Sequence, residues 1–150
     1  MSATQKCRVL FVCIGNACRS PMAESIARRE ASDVIEPASA GLYPLGQIVD
    51  RTEQALLANG YSIDGLSSKP ISRDAVQRAD IIVNLSGGPI EYLFLSAPSH
   101  LRHNQLLENW NVSDPYGEDT ATYQRILEEL EARVRQLADR LRAAQSSPRP

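Results

Sequence analysis

The sequence predicts an α/β domain: a mainly parallel sheet with helices on both faces, in three layers. Three observations carry that expectation. Two short, continuous apolar runs, residues 8–13 and 80–84, have the length and β-branched content of strands buried on both faces. Segments with helical spacing alternate with the strand candidates, the arrangement that joins parallel strands. The 150 residues contain no repeat, low-complexity tract or linker, and describe one domain. Ligands of such sheets sit beyond the carboxyl ends of the strands, which directs attention to the loop after Val12.

Residues 8–13, Arg-Val-Leu-Phe-Val-Cys, read as a buried strand, with Cys7 just ahead of it. A small, polar stretch fills 14–20. Residues 21–30 then have helical spacing, with Ser20 and Pro21 as start signals and Met22, Ala23, Ile26 and Ala27 as the apolar face. Residues 36–41 make a short strand ending at a glycine turn. A helix over 50–59 rests on Ala55, Leu56 and Leu57 and stops at Asn59-Gly60. Residues 72–78 suit a short helix leading into the 80–84 strand, which Ser86-Gly-Gly-Pro89 closes, and 105–110 form a further strand candidate. The longest helix covers 119–144, where Tyr123, Ile126, Leu127, Leu130, Val134, Leu137 and Leu141 recur at three- and four-residue steps. Charges of both signs between them mark a solvated outer face. The domain runs through residue 144, and 145–150 form a disordered tail.

Composition excludes several classes of function. The 16 Lys and Arg nearly balance 18 Asp and Glu, for a net charge of −2, whereas a general nucleic-acid binder carries a basic excess. The longest strongly apolar stretch, 9–14, is far too short to cross a bilayer. The N-terminus, with polar Ser2, Thr4 and Gln5, carries no secretory signal. The chain is therefore expected in the cytoplasm, without a nucleic-acid or membrane partner. Asn84-Leu-Ser and Asn111-Val-Ser spell glycosylation acceptors, a pattern without meaning in a chain that is not secreted. Cys7, Cys13 and Cys18 cannot all pair with one another, and in a reducing compartment cysteines are catalytic or inert rather than staples.

All three cysteines fall in the first 18 residues, around Cys13-Ile-Gly-Asn-Ala-Cys-Arg-Ser20. A turn from strand into helix directs backbone N–H groups inward, so residues 14–20 (Ile14, Gly15, Asn16, Ala17, Cys18, Arg19 and Ser20) form a concavity for an anion. Gly15 lets the backbone approach a bound oxyanion, and Asn16 tolerates a left-handed conformation. Arg19 offers a planar fork for two oxygens of a phosphate. Cys13 lies at the base, where N–H dipoles and Arg19 favour its thiolate, and Ser20 can donate to that sulfur. A thiolate held beneath a tetrahedral oxyanion is a nucleophile aimed at phosphorus. A bare Cys-x5-Arg is a common pattern and would mean little. The strand before it, Ser20-Pro21 and the helix after it make the reading specific.

Residues 9–24, Val-Leu-Phe-Val-Cys-Ile-Gly-Asn-Ala-Cys-Arg-Ser-Pro-Met-Ala-Glu, resemble the low-molecular-weight protein tyrosine phosphatases and the phosphatase-like arsenate reductases. Ser39-Ala-Gly41, Asp80-Ile-Ile-Val83 and Asp114-Pro-Tyr116 extend the resemblance over most of the chain. It implies a four-stranded parallel sheet of flavodoxin-like arrangement, with Cys13 as nucleophile forming a phosphocysteine and Arg19 binding the phosphate. It further implies that Ser20 steadies the thiolate while Asn16 and Ser39 hold the loop in shape. Asp114 matches the family's general acid, which protonates the leaving oxygen and later takes a proton from water. Tyr116 and Tyr43 would line the pocket rim. Cys18 matches the second loop cysteine: it either pairs with Cys13 under oxidation or is a small residue packed at the helix start. No metal and no cofactor are implied.

Some positions depart from the phosphatase pattern. Gly65-Leu66 occupy the neighbourhood where many members carry a supporting His, while His100 and His103 read as surface or loop residues. Asn84-Leu-Ser-Gly-Gly88 stands where Met-Asp is usual, and Gly117 replaces a second Tyr. Ser67-Ser-Lys-Pro70 and residues 110–115 resemble the arsenate reductases more. Their thioredoxin-coupled type relays a disulfide through two further cysteines, and none follows Cys18. The expectation is a phosphomonoesterase acting on a phosphorylated protein or small phosphoester. Arsenate reduction with an external thiol partner is the alternative, and a non-catalytic phosphate-binding module is a third reading, disfavoured because Cys13, Arg19 and Asp114 are all present.

Overall fold

The computed structural model describes residues 5–89 and 104–146; His100, His103 and residues 147–150 lie outside them. Four strands, β1 (Cys7–Cys13), β2 (Ile35–Gly41), β3 (Ile81–Asn84) and β4 (Leu106–Asn109), form one sheet in the order β2-β1-β3-β4. Every pairing is parallel. Among the described residues four helices connect or follow them: α1 (Arg19–Glu30), α2 (Asp50–Ala58), α3 (Arg73–Arg78) and α4 (Thr120–Ser146).

The period of two along β1 sorts its side chains into two cores. Val9, Phe11 and Cys13 enter the core shared with α1 and α4, while Leu10 and Val12 enter a smaller one with Val76 and Ala79 near α3. The helices thus lie on both faces, as expected. Helix α1 buries Met22, Ala23, Ile26 and Ala27 completely, the apolar face its spacing predicts. In α4 the ridge from Tyr123 to Leu137 is buried and Leu141 is partly covered. Each fully buried large apolar side chain contributes about 1.5–3 kcal/mol. The exposed pairs that the same helix makes with Glu30 and Asp33, through Arg135 and Arg142, are screened by solvent and add little. The ridge therefore holds α4 in place.

Several boundaries differ from the sequence expectations. Cys7 is the first residue of β1, paired with Ile35, rather than a residue ahead of it. Helix α1 starts at Arg19, two residues early, because Met22 N already donates to Cys18 O at 3.1 Å. Ser20 does not cap it, since its hydroxyl is engaged with Cys13 and Asn16. Pro21 sits in the first turn, where no intrahelical donor is needed. In α2, Leu57 faces solvent at 56% exposure, and Thr52 takes its place in the buried set. Helix α4 continues through Gln145 and Ser146, with Gln145 Nε2 donating to Gln5 O (3.2 Å).

Register decides where the site lies. Cys13 is level with Gly41, Val12 with Asn84, and Asn84 with Asn109, so the carboxyl ends of all four strands meet at one edge. The chain leaves β1 towards β2 and returns across it to β3. The loop after Cys13 therefore stands at the point where the strand order reverses.

Candidate active site

The loop after β1 is shaped by a chain of directed hydrogen bonds. Lys69 N donates to Asn16 Oδ1 (2.9 Å), which turns the Asn16 amide nitrogen towards Ser20 Oγ (2.7 Å). With its oxygen occupied as acceptor, Ser20 has its hydroxyl proton free for Cys13 Sγ, 2.9 Å away. Asn16 is the one described non-glycine residue with positive φ, at 47°, and is completely buried. The left-handed conformation is the one its residue type tolerates, while its complete burial was not expected from its type. Ser39 does not touch this chain of bonds directly: its hydroxyl donates to Glu24 Oε1 (2.5 Å), tying β2 to α1. Glu24, which the sequence reading did not single out, is buried and also pairs with Arg28.

Two glycines guard the loop in different ways. A Cβ on Gly41 would lie 2.9 Å from Asn16 Cβ, Asn16 N and Ile14 O, so β2 approaches the loop as closely as only glycine permits. A Cβ on Gly15 would meet only Ala17 and Leu45, each at 3.9 Å, and both of these line the cavity. Gly15 is thus not required by crowding within the protein, unlike Gly41.

Arg19 is almost fully buried. Its Nη1 donates to Leu85 O (2.6 Å) and Val112 O (3.1 Å), carbonyls of the loops after β3 and β4. Its Nη2 lies 3.5 Å from Asp114 Oδ2. Its Nε is the only buried side-chain nitrogen or oxygen among the described residues without a hydrogen-bond partner. A buried unpaired donor on a charged group is costly. Nη1 is thus held by main-chain carbonyls and Nη2 by Asp114, and Nε alone lacks an acceptor.

Arg19 borders a cavity of about 210 Å3 together with Cys13, Ile14, Gly15, Ala17 and Cys18 from the loop, Tyr43 and Leu45 from the segment after β2, and Asp114 and Tyr116 from the segment after β4. Helix α1 begins beside it with no side-chain cap and no acidic residue in its first turn, which leaves the positive end of the helix unneutralised. Asp114 is half-exposed, and its Oδ1 accepts from Tyr116 N (3.1 Å), an Asx turn that orients the carboxyl group. Ile14, Tyr43, Leu45 and Tyr116 are exposed apolar residues at the mouth. Ile14 and Leu45 join the two rim tyrosines that the sequence suggested.

Cys18, the N-cap of α1, packs with its Sγ 3.6 Å from the hydroxyl of fully buried Tyr123. Burial pushes its thiol up from the ordinary value, while hydrogen bonds with Thr52 and Tyr123 partly oppose that. Lys69, half-buried behind the loop, has its pKa lowered by burial, with Glu24 pulling the other way. Ser68 Oγ donates to Gly15 O (2.9 Å) and accepts from Gly46 N (3.0 Å), so residues 67–69 strap the loop to the rim segment. Among the described residues no group of three His, Cys, Asp or Glu is arranged to hold a metal ion. No helix among them is long and apolar enough to cross a membrane. A second cavity of about 210 Å3 lies near α3 by Arg8, Glu36, Asp74 and Arg78; these charges pair with one another, Arg8 with Glu36 and Arg78 with Asp74.

The family model for low molecular weight phosphotyrosine protein phosphatase matches residues 8–147. The low molecular weight protein-tyrosine-phosphatase Wzb of Escherichia coli is 33% identical, over 91% of this chain and 97% of its own. A protein-arginine-phosphatase of Bacillus subtilis is 30% identical, over 89% of this chain and 96% of its own. Among solved structures, a thioredoxin-dependent arsenate reductase of Corynebacterium glutamicum superposes with a TM-score of 0.77 at 26% identity, covering 95% of this chain and 65% of that one.

Proposed function

The chain belongs to the low molecular weight phosphotyrosine protein phosphatase family, and we propose that it is a phosphomonoesterase working through a phosphocysteine on Cys13. The observation that carries this reading is the unpartnered, buried Nε of Arg19. A buried guanidinium whose Nε lacks an acceptor, beside the cavity that Cys13 lines, calls for an oxyanion with two oxygens in one plane.

In the first step the Cys13 thiolate attacks phosphorus, the S–P bond forms and the bond to the leaving oxygen breaks. Asp114, protonated, delivers its proton to that oxygen. Arg19 Nε and Nη2, with the loop amides of residues 14–19, stabilise the equatorial oxygens. In the second step Asp114, now a carboxylate, takes a proton from water as the water oxygen attacks phosphorus. The S–P bond breaks, phosphate leaves, and Ser20 donates to the departing thiolate, which its 2.9 Å separation from Sγ permits. The exposed apolar rim of Ile14, Tyr43, Leu45 and Tyr116 favours an aromatic leaving group, hence phosphotyrosine in a protein or a small aryl phosphate.

Arsenate reduction is the second reading, supported by the likeness to an arsenate reductase. Arsenate would fill the same cradle. The chain has no cysteine beyond Cys18 to relay a disulfide, so an external thiol would have to complete that reaction. The test is turnover of para-nitrophenyl phosphate beside arsenate reduction with a panel of thiols. Phosphatase activity abolished in Cys13→Ser supports the proposal. Arsenate reduction without phosphatase activity selects the second reading, and full activity in Cys13→Ser removes both.

A further inference from the structure

Asn84 ends β3, is buried to 2% exposure, and uses every hydrogen-bonding position its carboxamide has. Its Oδ1 accepts from Ser86 N (3.0 Å) and Ser86 Oγ (2.6 Å). Its Nδ2 donates to Gly88 O (3.0 Å) and to Asn109 Oδ1 (2.8 Å). The Asn-Leu-Ser spelling at 84–86 is thus a closed turn whose amide hydrogens are both engaged. The residue enclosed by that turn is Leu85. Its N–H donates to Val12 O at 2.6 Å, and its carbonyl accepts from Arg19 Nη1 at 2.6 Å. The second tie, to Asn109, reaches the end of β4, from which the chain continues to Val112, the other carbonyl on Nη1.

We infer that Asn84 is a positioning residue for oxyanion binding: by closing the 84–88 turn and tying it to β4, it aims the Leu85 carbonyl and so sets the plane of the Arg19 guanidinium. The physical argument is directional. A buried apolar side chain would fill this volume at no polar cost, whereas four matched hydrogen bonds specify one backbone geometry. Nη1 must be anchored for Nε and Nη2 to face the cavity together, because the guanidinium is planar and rigid. A turn free to rotate would carry the Leu85 oxygen away and let the fork swing. The inference rests on reading Arg19 as the oxyanion ligand.

The experiment uses two alkylating agents of similar size, iodoacetate and iodoacetamide, and follows inactivation by each. In both reactions the Cys13 sulfur displaces iodide. Only iodoacetate brings a carboxylate for Arg19 to guide, so the ratio of the two rates reports the fork. Asn84→Ala is expected to lower that ratio about tenfold and to raise the inhibition constant of inorganic phosphate by a similar factor. A purely structural role would lower the melting temperature and shift both alkylation rates alike, leaving the ratio unchanged. A folded Asn84→Ala with the wild-type ratio overturns the inference. Should that variant fail to fold, Ser86→Ala and Asn109→Ala each remove part of the network and are expected to lower the ratio a few-fold; wild-type ratios in both overturn it. Arg19→Ala separates the premises: if it too keeps the wild-type ratio, the oxyanion reading fails.

Discussion

Replacing Arg19 by lysine tests how this site binds charge. Lysine keeps the positive charge and similar length but loses the planar fork. In the wild type, Nη1 is held by Leu85 O and Val112 O, Nη2 pairs with Asp114 and Nε has no partner; on the proposed function, Nε and Nη2 are the two donors to the oxyanion. Two hydrogen bonds from a charged donor are worth about 1.5–3 kcal/mol each, hence about 3–6 kcal/mol together. At about 1.4 kcal/mol per decade that is a loss of about 10²–10⁴ in kcat/KM, with lysine recovering part through its charge. The same geometry makes a thermal prediction. Inorganic phosphate at about 100 times its Kd should stabilise the folded protein by about 2.7 kcal/mol. At about 2–4 °C per kcal/mol for a chain of this size, the melting temperature should rise by about 5–11 °C. Arg19→Lys at the same phosphate concentration should show a small fraction of that rise. The assays are para-nitrophenyl phosphate kinetics and melting followed by circular dichroism. An Arg19→Lys enzyme within tenfold of wild type, with an undiminished phosphate shift, would refute the reasoning.

Three other outcomes follow from the same geometry. Asp114→Asn should lower kcat/KM, which reports only the first step, by about 10²–10⁴ on phenyl phosphate, but far less on dinitrophenyl phosphate, whose leaving oxygen needs no proton; equal losses in kcat/KM on both would remove Asp114 as the acid. Gly41→Ala places a methyl 2.9 Å from Asn16 and Ile14 O, so it should destabilise by about 1–3 kcal/mol and lower kcat/KM, measured by urea melts and turnover; a neutral variant would contradict the close approach. Burial raises Cys7 to about 11 and also raises Cys18, whereas both titrate near 9.0 when unfolded. A raised pKa means that the folded state binds the proton longer, so this stability is complete below pH 9 and is lost as pH climbs through the folded values. Lys69 acts in the opposite sense, so the readout is the difference between variants. Cys7→Ser and Cys18→Ser should show a shallower fall in melting temperature between pH 9 and 11 than wild type, and identical slopes would count against the assignment.

Much of this molecule is legible in the chain because its signals are local. The apolar runs at 8–13 and 80–84, the ridge of α4 and the Asn59-Gly60 stop each depend on residues within a few positions of one another. The loop at 13–20 is equally local, so Cys13, Arg19 and Asn16 stand out by type and spacing, and the Asp114 segment by its resemblance. The start of α1 was less legible, since Ser20 looks like a cap until its hydroxyl is found beside Cys13.

What the residues alone determined is therefore an α/β domain, with Cys13, Arg19 and Asp114 singled out in order along the chain as candidates for nucleophile, oxyanion ligand and acid. What only the tertiary structure decided is how those groups are held. Arg19 is anchored by two main-chain carbonyls, 66 and 93 residues away. Asn16 is oriented by the backbone N–H of Lys69, Gly41 leaves no room for a side chain beside the loop, and Asn84 closes the turn that contains Leu85. Main-chain donors and acceptors are the same at nearly every residue, so no residue type announces them. Which of them reaches the site is decided by strand order and register, which bring the carboxyl ends of β1, β2, β3 and β4 to one edge.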